Sequence, residues 1–267
     1  MTPELFAPGF ISTDERELNS VFTPDGNEFY FAYSFGGGNY QIMVTRQVEG
    51  RWSSPEVASF SREYSNVDLA ISHDGQKLYF GSNRPRGNPA TTKEGFDLWM
   101  VERQGEAWSE PIHLGAEINS GEHQIYPTVT REGTLYFQAR RKDGYGGTDV
   151  YRSKPIGDSY TTPENLGPVI NSSANEGDVL VAPDESFLVV SIYGRDDSLG
   201  RGDLYVSFRS DDGSWTDLRN MGEPINSDAI DFCPMLSPDG RYLFFSSGRA
   251  GSGDIYWVDA TVIQEMR

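Results

Sequence analysis

Cysteine is nearly absent from this chain: Cys233 stands alone among 267 residues. That excludes an internal disulfide and a zinc cage built on thiolates. Histidine is almost as scarce, and His73, His113 and His123 are too scattered for a His-only metal site. No metal and no cofactor is therefore expected. Basic residues are outnumbered 22 to 40, a formal charge of −18, and no cluster of Lys or Arg interrupts the acidic background. Nucleic acids are held mainly by Lys and Arg that displace counterions, so no nucleic-acid partner is expected. Nowhere does an apolar run approach the roughly 18 residues of a membrane helix, so no membrane insertion is expected. The start of the chain, Met1-Thr2-Pro3-Glu4, shows no basic segment followed by an apolar stretch, and hence no visible signal peptide.

Aromatics are plentiful, with 5 Trp, 14 Tyr and 15 Phe, and there are 29 Gly and 15 Pro. This mix suits many short strands joined by tight turns. One phrase recurs: Thr23-Pro24-Asp25-Gly26, Ser72-His73-Asp74-Gly75, Thr130-Arg131-Glu132-Gly133, Ala182-Pro183-Asp184-Glu185 and Ser237-Pro238-Asp239-Gly240, its acidic residues spaced by 49, 58, 52 and 55. Such a period suits a four-stranded propeller blade, and Pro-Asp-Gly is turn chemistry. An alternating apolar segment follows each turn, as in Leu78-Tyr79-Phe80 and Leu243-Phe244-Phe245. A third segment opens with Asp97, Asp149, Asp203 or Asp254 in four of the units, each shortly after a glycine. A fourth contains Trp52, Trp108, Tyr160 or Trp215, and three of these run into Ile-Asn-Ser at Ile118, Ile170 and Ile225.

The unit is therefore four strands, a to d from the channel outward, with the Asp-Gly turn joining a to b. The last unit lacks its d segment, while Thr2-Pro3-Glu4 at the other end resembles Thr162-Pro163-Glu164. These features predict an all-β, five-bladed β-propeller of four-stranded antiparallel blades, with the N-terminal strand completing the last blade and removing exposed sheet edges. All of 1–267 is expected to form one propeller domain. Its blades run approximately over 17–60, 65–118, 123–170, 175–226, and 230–267 with 2–11.

The turn Ser237-Pro238-Asp239-Gly240, the strand Leu243 to Arg249 and Asp254-Ile255-Tyr256 together resemble the PD40, or WD40-like, β-propeller repeat family that includes the propeller domain of TolB. Family propellers of the TolB type have six blades and an additional N-terminal domain. Five blades are counted here, so TolB's partner contacts are not carried over. The resemblance implies an exported protein, periplasmic or secreted, whose signal peptide is not part of this sequence; a cytoplasmic protein is the alternative.

Uniform a-to-b turns contrast with long, varied b-to-c loops, Ser82 to Gly95, Arg140 to Thr148 and Tyr193 to Gly202. Variable loops on a rigid scaffold usually carry binding, so the ligand site is expected on the loop face at the central channel. Counting back from the turn acid, Glu17, Asn66, Gln124, Glu176 and Asp231 lie eight residues earlier. Asn19, Asp68, Tyr126, Asp178 and Cys233 lie six earlier. Strand alternation places both sets on one side, so all ten are expected to ring the channel mouth. Crowding of their five carboxylates would raise at least one pKa. The plainer alternative is that they bond backbone amides or hold water.

Arg84, Arg141, Arg195 and Arg249 recur at the end of strand b, with Phe35 in the first unit. They are expected either to pair with the Asp that opens strand c or with a neighbouring blade's acid, or to read an anionic ligand. His123, near the mouth, and Tyr64, Tyr145, Tyr193 and Phe232 complete the candidates. Asp143 to Asp149 is a glycine-rich loop without the ligand pattern of a calcium site, and calcium rests there on carboxylate content alone. The expected function is a binding or scaffold module, a monomer, for a protein, peptide or carbohydrate ligand. The alternative is a five-bladed glycoside hydrolase using Glu17, Asp68 and Glu176 or Asp178.

Overall fold

The computed structural model describes residues 1–36, 38–86, 95–251 and 253–267. Five antiparallel sheets follow one another around a central channel. Their three long strands are Glu17–Phe22, Glu28–Ser34 and Tyr40–Val48 in blade 1, and Asn66–Ile71, Lys77–Ser82 and Asp97–Gln104 in blade 2. They are His123–Val129, Leu135–Arg140 and Asp149–Ser153 in blade 3, and Asn175–Val181, Phe187–Tyr193 and Asp203–Phe208 in blade 4. Blade 5 has Asp231–Leu236, Tyr242–Ser247 and Asp254–Asp259. The outer strands are only two residues long: Glu56–Val57, Ile112–His113, Glu164–Asn165, Arg219–Asn220 and, from the start of the chain, Glu4–Leu5. Trp52 and Trp108 lie one step before them, in short hairpins on the far end of strand c.

The ring closes as expected. Glu4 pairs with Trp257 and Leu5 with Tyr256, and Phe6 packs its ring 5.1 Å from Phe244 in blade 5 and 5.2 Å from Phe29 in blade 1. One short segment thus completes blade 5 and ties it to blade 1.

In three of the five turns the phrase makes the same pair of bonds. Thr23 Oγ1 donates to Asp25 at 2.6 Å and accepts from the Glu28 N–H at 3.0 Å, and Ser72 and Ser237 repeat this. These bonds hold the pKa values of Asp25, Asp74 and Asp239 below the ordinary carboxylate range. In the fourth turn Glu185 takes the left-handed conformation (φ 58°) that glycine takes elsewhere.

Each inner strand carries a bulge: between Leu18 and Ser20, Val67 and Leu69, Ile125 and Thr128, Glu176 and Val179, and Phe232 and Met235. At four of them the residue is left-handed without being glycine: Asn19, Asp68, Tyr126 and Cys233. A bulge breaks the two-residue alternation and re-aims side chains, and this feature decides how the channel is built.

Candidate functional site

The ten inner-strand residues separate into two rings because the bulge falls between them. Those of the first ring are fully buried, and all but Gln124, whose side-chain amide has no partner among the described residues, are tied to the connector that precedes their own strand. Glu17 accepts from Thr13 Oγ1 at 2.5 Å and from the Thr13 N–H at 3.1 Å, Glu176 accepts from Ser172 Oγ at 2.5 Å, and Asp231 accepts from the Ser227 N–H at 2.6 Å. Asn66 donates to Tyr64 O at 2.6 Å. Burial pushes the pKa values of Glu17 and Glu176 up, against those hydrogen bonds. The expectation that all ten ring the mouth therefore does not hold, since alternation does not survive the bulge.

The second ring does converge. Asn19 Oδ1 accepts from the Leu69 N–H at 2.7 Å, Asp178 Oδ2 from the Cys233 N–H at 3.0 Å, and the Tyr126 hydroxyl donates to Pro234 O at 2.7 Å. Inner strands are edge strands, so their inward N–H groups need partners, and side chains from neighbouring blades supply them. Asp68 has no hydrogen-bond partner among the described residues. Burial and then the nearby Asp178 charge raise its pKa well above normal, and burial lifts Asp178 to about 6. Burial raises the Tyr126 and Cys233 pKa values also.

Leu18, Leu69, Tyr126, Phe232 and Cys233 share one packed cluster with Tyr193, which brings side chains from all five blades together in the channel. Tyr193 lies over Gly177, where an added Cβ would sit 2.8 Å from its ring.

Toward the turns the channel widens into a funnel of about 370 Å³. Its floor is Asn19, Tyr126, Pro127 and Pro234, its wall includes Val21, Ala70, Ile71, Val129, Val181 and Met235, and its rim carries Pro24, His73, Arg131, Pro183 and Pro238. Burial and then Arg131 lower the His73 pKa. The funnel opens on the Asp-Gly-turn face, opposite the face expected to hold the ligand. Its rim residues sit inside the repeated turn, where the sequence pattern signals only a turn. Pro127 and Pro234 were the available signal, since proline within a strand marks an edge whose missing N–H faces open space.

The strand-b arginines do not meet the pairing with strand-c acids. Asp149 accepts from the N–H groups of Tyr145 and Gly146, and Asp203 from those of Leu199 and Gly200, so these acids cap the glycine-rich loops before them. Arg141 instead reaches Asp143 at 3.6 Å, Arg195 reaches Asp197 at 2.9 Å and Arg249 reaches Asp231 at 2.9 Å. Arg84 reaches no carboxylate among the described residues. In the calcium-candidate loop, Asp143 accepts from the Tyr151 hydroxyl, and Asp149 accepts from backbone N–H groups and from the Asn165 amide. Among the described residues no group of three or more His, Cys, Asp or Glu is placed to hold a metal. Tyr145 is exposed at the surface, Tyr64 stacks on Arg84, and Arg16 lies over Phe232. His123 Nδ1 accepts from the Phe96 N–H at 3.3 Å. Part of the Ser82 to Gly95 loop lies outside the described residues.

Asp97, His113 and Asn119 form a chain that looks catalytic: His113 Nε2 is 3.3 Å from Asp97 Oδ2 and 3.0 Å from Asn119 Nδ2. Blades 3 and 4 repeat it as Asp149–Asn165–Asn171 and Asp203–Asn220–Asn226. In each, the last Asn bonds both backbone groups of the residue after the Asp, as Asn226 does with Leu204 at 2.8 and 2.9 Å. The array joins connector to blade. His113→Asn is therefore expected to shift the thermal midpoint by no more than a few degrees, measured by circular dichroism.

The architecture can now be compared with known proteins. A solved TolB from Acinetobacter baumannii superposes with a TM-score of 0.60 at 14% identity, over 94% of this chain and 53% of that one. The chain is similar in fold to TolB. It spans about half of that protein's length. A structure described as a glycoside hydrolase gives a TM-score of 0.60 at 12% identity, over 94% of this chain and 92% of that one. A structure of a nidogen/laminin complex gives 0.55 at 12% identity, over 88% and 75%. No family model and no curated protein matches the chain. The resemblance to TolB-type propellers thus stands as a resemblance of fold. At these identities it carries no residue roles. No helix is long and apolar enough to cross a membrane among the described residues.

Proposed function

We propose that this chain is a binding propeller whose ligand enters the funnel on the Asp-Gly-turn face, and that the ligand is a protein or peptide segment with an apolar tip. The funnel itself carries this reading. It draws its lining from all five blades, its volume of about 370 Å³ lies within the range of ligand pockets, and its wall is largely aliphatic and proline-rich, with Ser72, Thr128 and Ser237 among its polar side chains. Asn19 and Tyr126 at the floor, with His73 and Arg131 at the rim, supply the polar contacts that would fix orientation. Sugars favour flat aromatic platforms, and here, among the described residues, Phe22 and Tyr126 are the only Phe, Tyr or Trp in the lining, with the His73 imidazole at the rim. The hydrolase reading is not favoured, since Glu17 and Glu176 are buried and engaged by Thr13 and Ser172. We place the protein in an exported, periplasmic setting as a monomer.

Ala70→Trp would fill the funnel wall without touching the loops. Peptides selected from a displayed library on the wild type should lose at least about 10-fold in affinity on this variant. Peptides that bind both equally, or retention of glycans alone on an array, would overturn the assignment.

A further inference from the structure

Arg84 differs from the other strand-b arginines in one physical respect. Arg141, Arg195 and Arg249 each have a carboxylate within 4 Å. Arg84 is only 8% exposed, and the place of Asp231 is taken in its blade by the neutral Asn66. Its guanidinium donates to Ser82 Oγ at 3.0 Å, Phe60 O at 3.0 Å and Asn66 Oδ1 at 3.2 Å, all neutral acceptors. Those bonds use Nε and Nη2, and Nη1 makes none among the described residues. The rings of Tyr64, Phe80 and Trp99, with centroids 5.4, 5.4 and 5.2 Å away, hold the group in place.

A buried charge without a counter-ion is costly, and an anion brought from outside would offset that cost. The route is present. A cavity of about 290 Å³ lies at the seam of blades 1 and 2 against Arg84, lined also by Phe60, Tyr64, Trp108, Arg62, Glu63 and Glu110. Glu63 and Glu110 are exposed, have no ion-pair partner among the described residues, and lie close enough for their charge to act on Arg84. The cavity therefore has at its base a cation with no carboxylate in contact, and at its lip two acids and the exposed Arg62. We infer that this seam binds an α-amino acid as a zwitterion, the carboxylate on Nη1 of Arg84 and the ammonium between Glu63 and Glu110. A planar guanidinium suits a carboxylate. The two acids outnumber Arg62 at the lip, so the lip disfavours a phosphate dianion and attracts the ammonium, and the volume suits a small ligand. This site is separate from the funnel, so either assignment can fail alone.

The test uses L-alanine and propionate, which differ by the amino group, with ethylamine and inorganic phosphate as controls. Tryptophan fluorescence reports occupancy, because Trp108 lines the cavity and Trp99 flanks Arg84. L-Alanine should give a saturable change, propionate a several-fold weaker one, and the controls none. Arg84→Gln should abolish the response to both carboxylates. Should that variant fail to fold, Glu63→Gln with Glu110→Gln, both on the surface, should reduce alanine to the level of propionate. No saturable response to L-alanine up to about 50 mM, phosphate binding as tight as alanine, or an unchanged alanine preference in the double variant would each overturn the site.

Discussion

Deleting residues 2–11 should lower the thermal midpoint by more than 10 °C, or leave a chain that no longer unfolds cooperatively. The deletion removes the strand Glu4–Leu5 from its pairing with Tyr256 and Trp257, and removes Phe6 from a cluster that includes Phe22, Phe29 and Phe244. Ile11, 2% exposed, leaves a second void where it packs with Phe31, Met235 and Ile255. Large-to-small losses in a core cost about 2–5 kcal/mol each, so the combined loss is on the order of 5–10 kcal/mol. At about 2–4 °C per kcal/mol in a chain of this size, the shift follows. The deletion also bares the edge of Asp254–Asp259, an invitation to pairing between molecules. Differential scanning calorimetry and light scattering read both effects. A truncated chain with the wild-type midpoint would show that the closing strand contributes nothing and that blade 5 stands on three strands.

What was legible in the sequence and what was not divide along a physical line. The turn phrase, the aromatic strands and the split last blade are local patterns, and Thr23, Asp25 and Glu28 satisfy one another within six residues, so their spacing carries the fold. The bulges left no comparable trace. The left-handed residue is Asn in one blade, Asp in the next and Tyr or Cys in others, chosen by what it meets across the channel rather than by its own backbone preference. Reading Glu17 and Asn19 as sharing one face was correct for a regular strand and fails for a bulged one. The face of the funnel was equally hidden. Loop length says where sequence can vary, whereas the opening depends on which end the side chains fill. Tyr193 packed over Gly177 and the buried Phe232 belong to the filled stretch, while small residues such as Ala70 leave room toward the turns.

Asp68→Asn should stabilise the protein at neutral pH and have little effect near pH 4. Both Asp68 and Asp178 have folded-state pKa values raised above their unfolded ones, chiefly by burial. A group shifted in this direction contributes its full stability below the unfolded pKa of about 4, and that contribution is lost as pH rises through the folded value. With Asp178 at about 6, the loss falls between about pH 4 and 6 for that residue, and Asp68, also raised by burial, loses its contribution in the same direction as pH rises. A shift from 3.8 to about 6 corresponds to about 3 kcal/mol at neutral pH. An asparagine at 68 removes one of the two charges and offers an amide N–H toward the other, with Tyr126, Tyr193 and Cys233, all uncharged at this pH, as the remaining titratable neighbours. The midpoint difference between variant and wild type should therefore grow from near zero at pH 4 to on the order of 5 °C at pH 7.5. A difference of the opposite sign at pH 7.5, together with a fall in the wild-type midpoint on adding a chelator, would mean that the two carboxylates are charged and held by a cation. A difference that stays flat from pH 4 to 8 would mean that the pair is ionised and solvated throughout, and that the channel is wetter than its packing indicates.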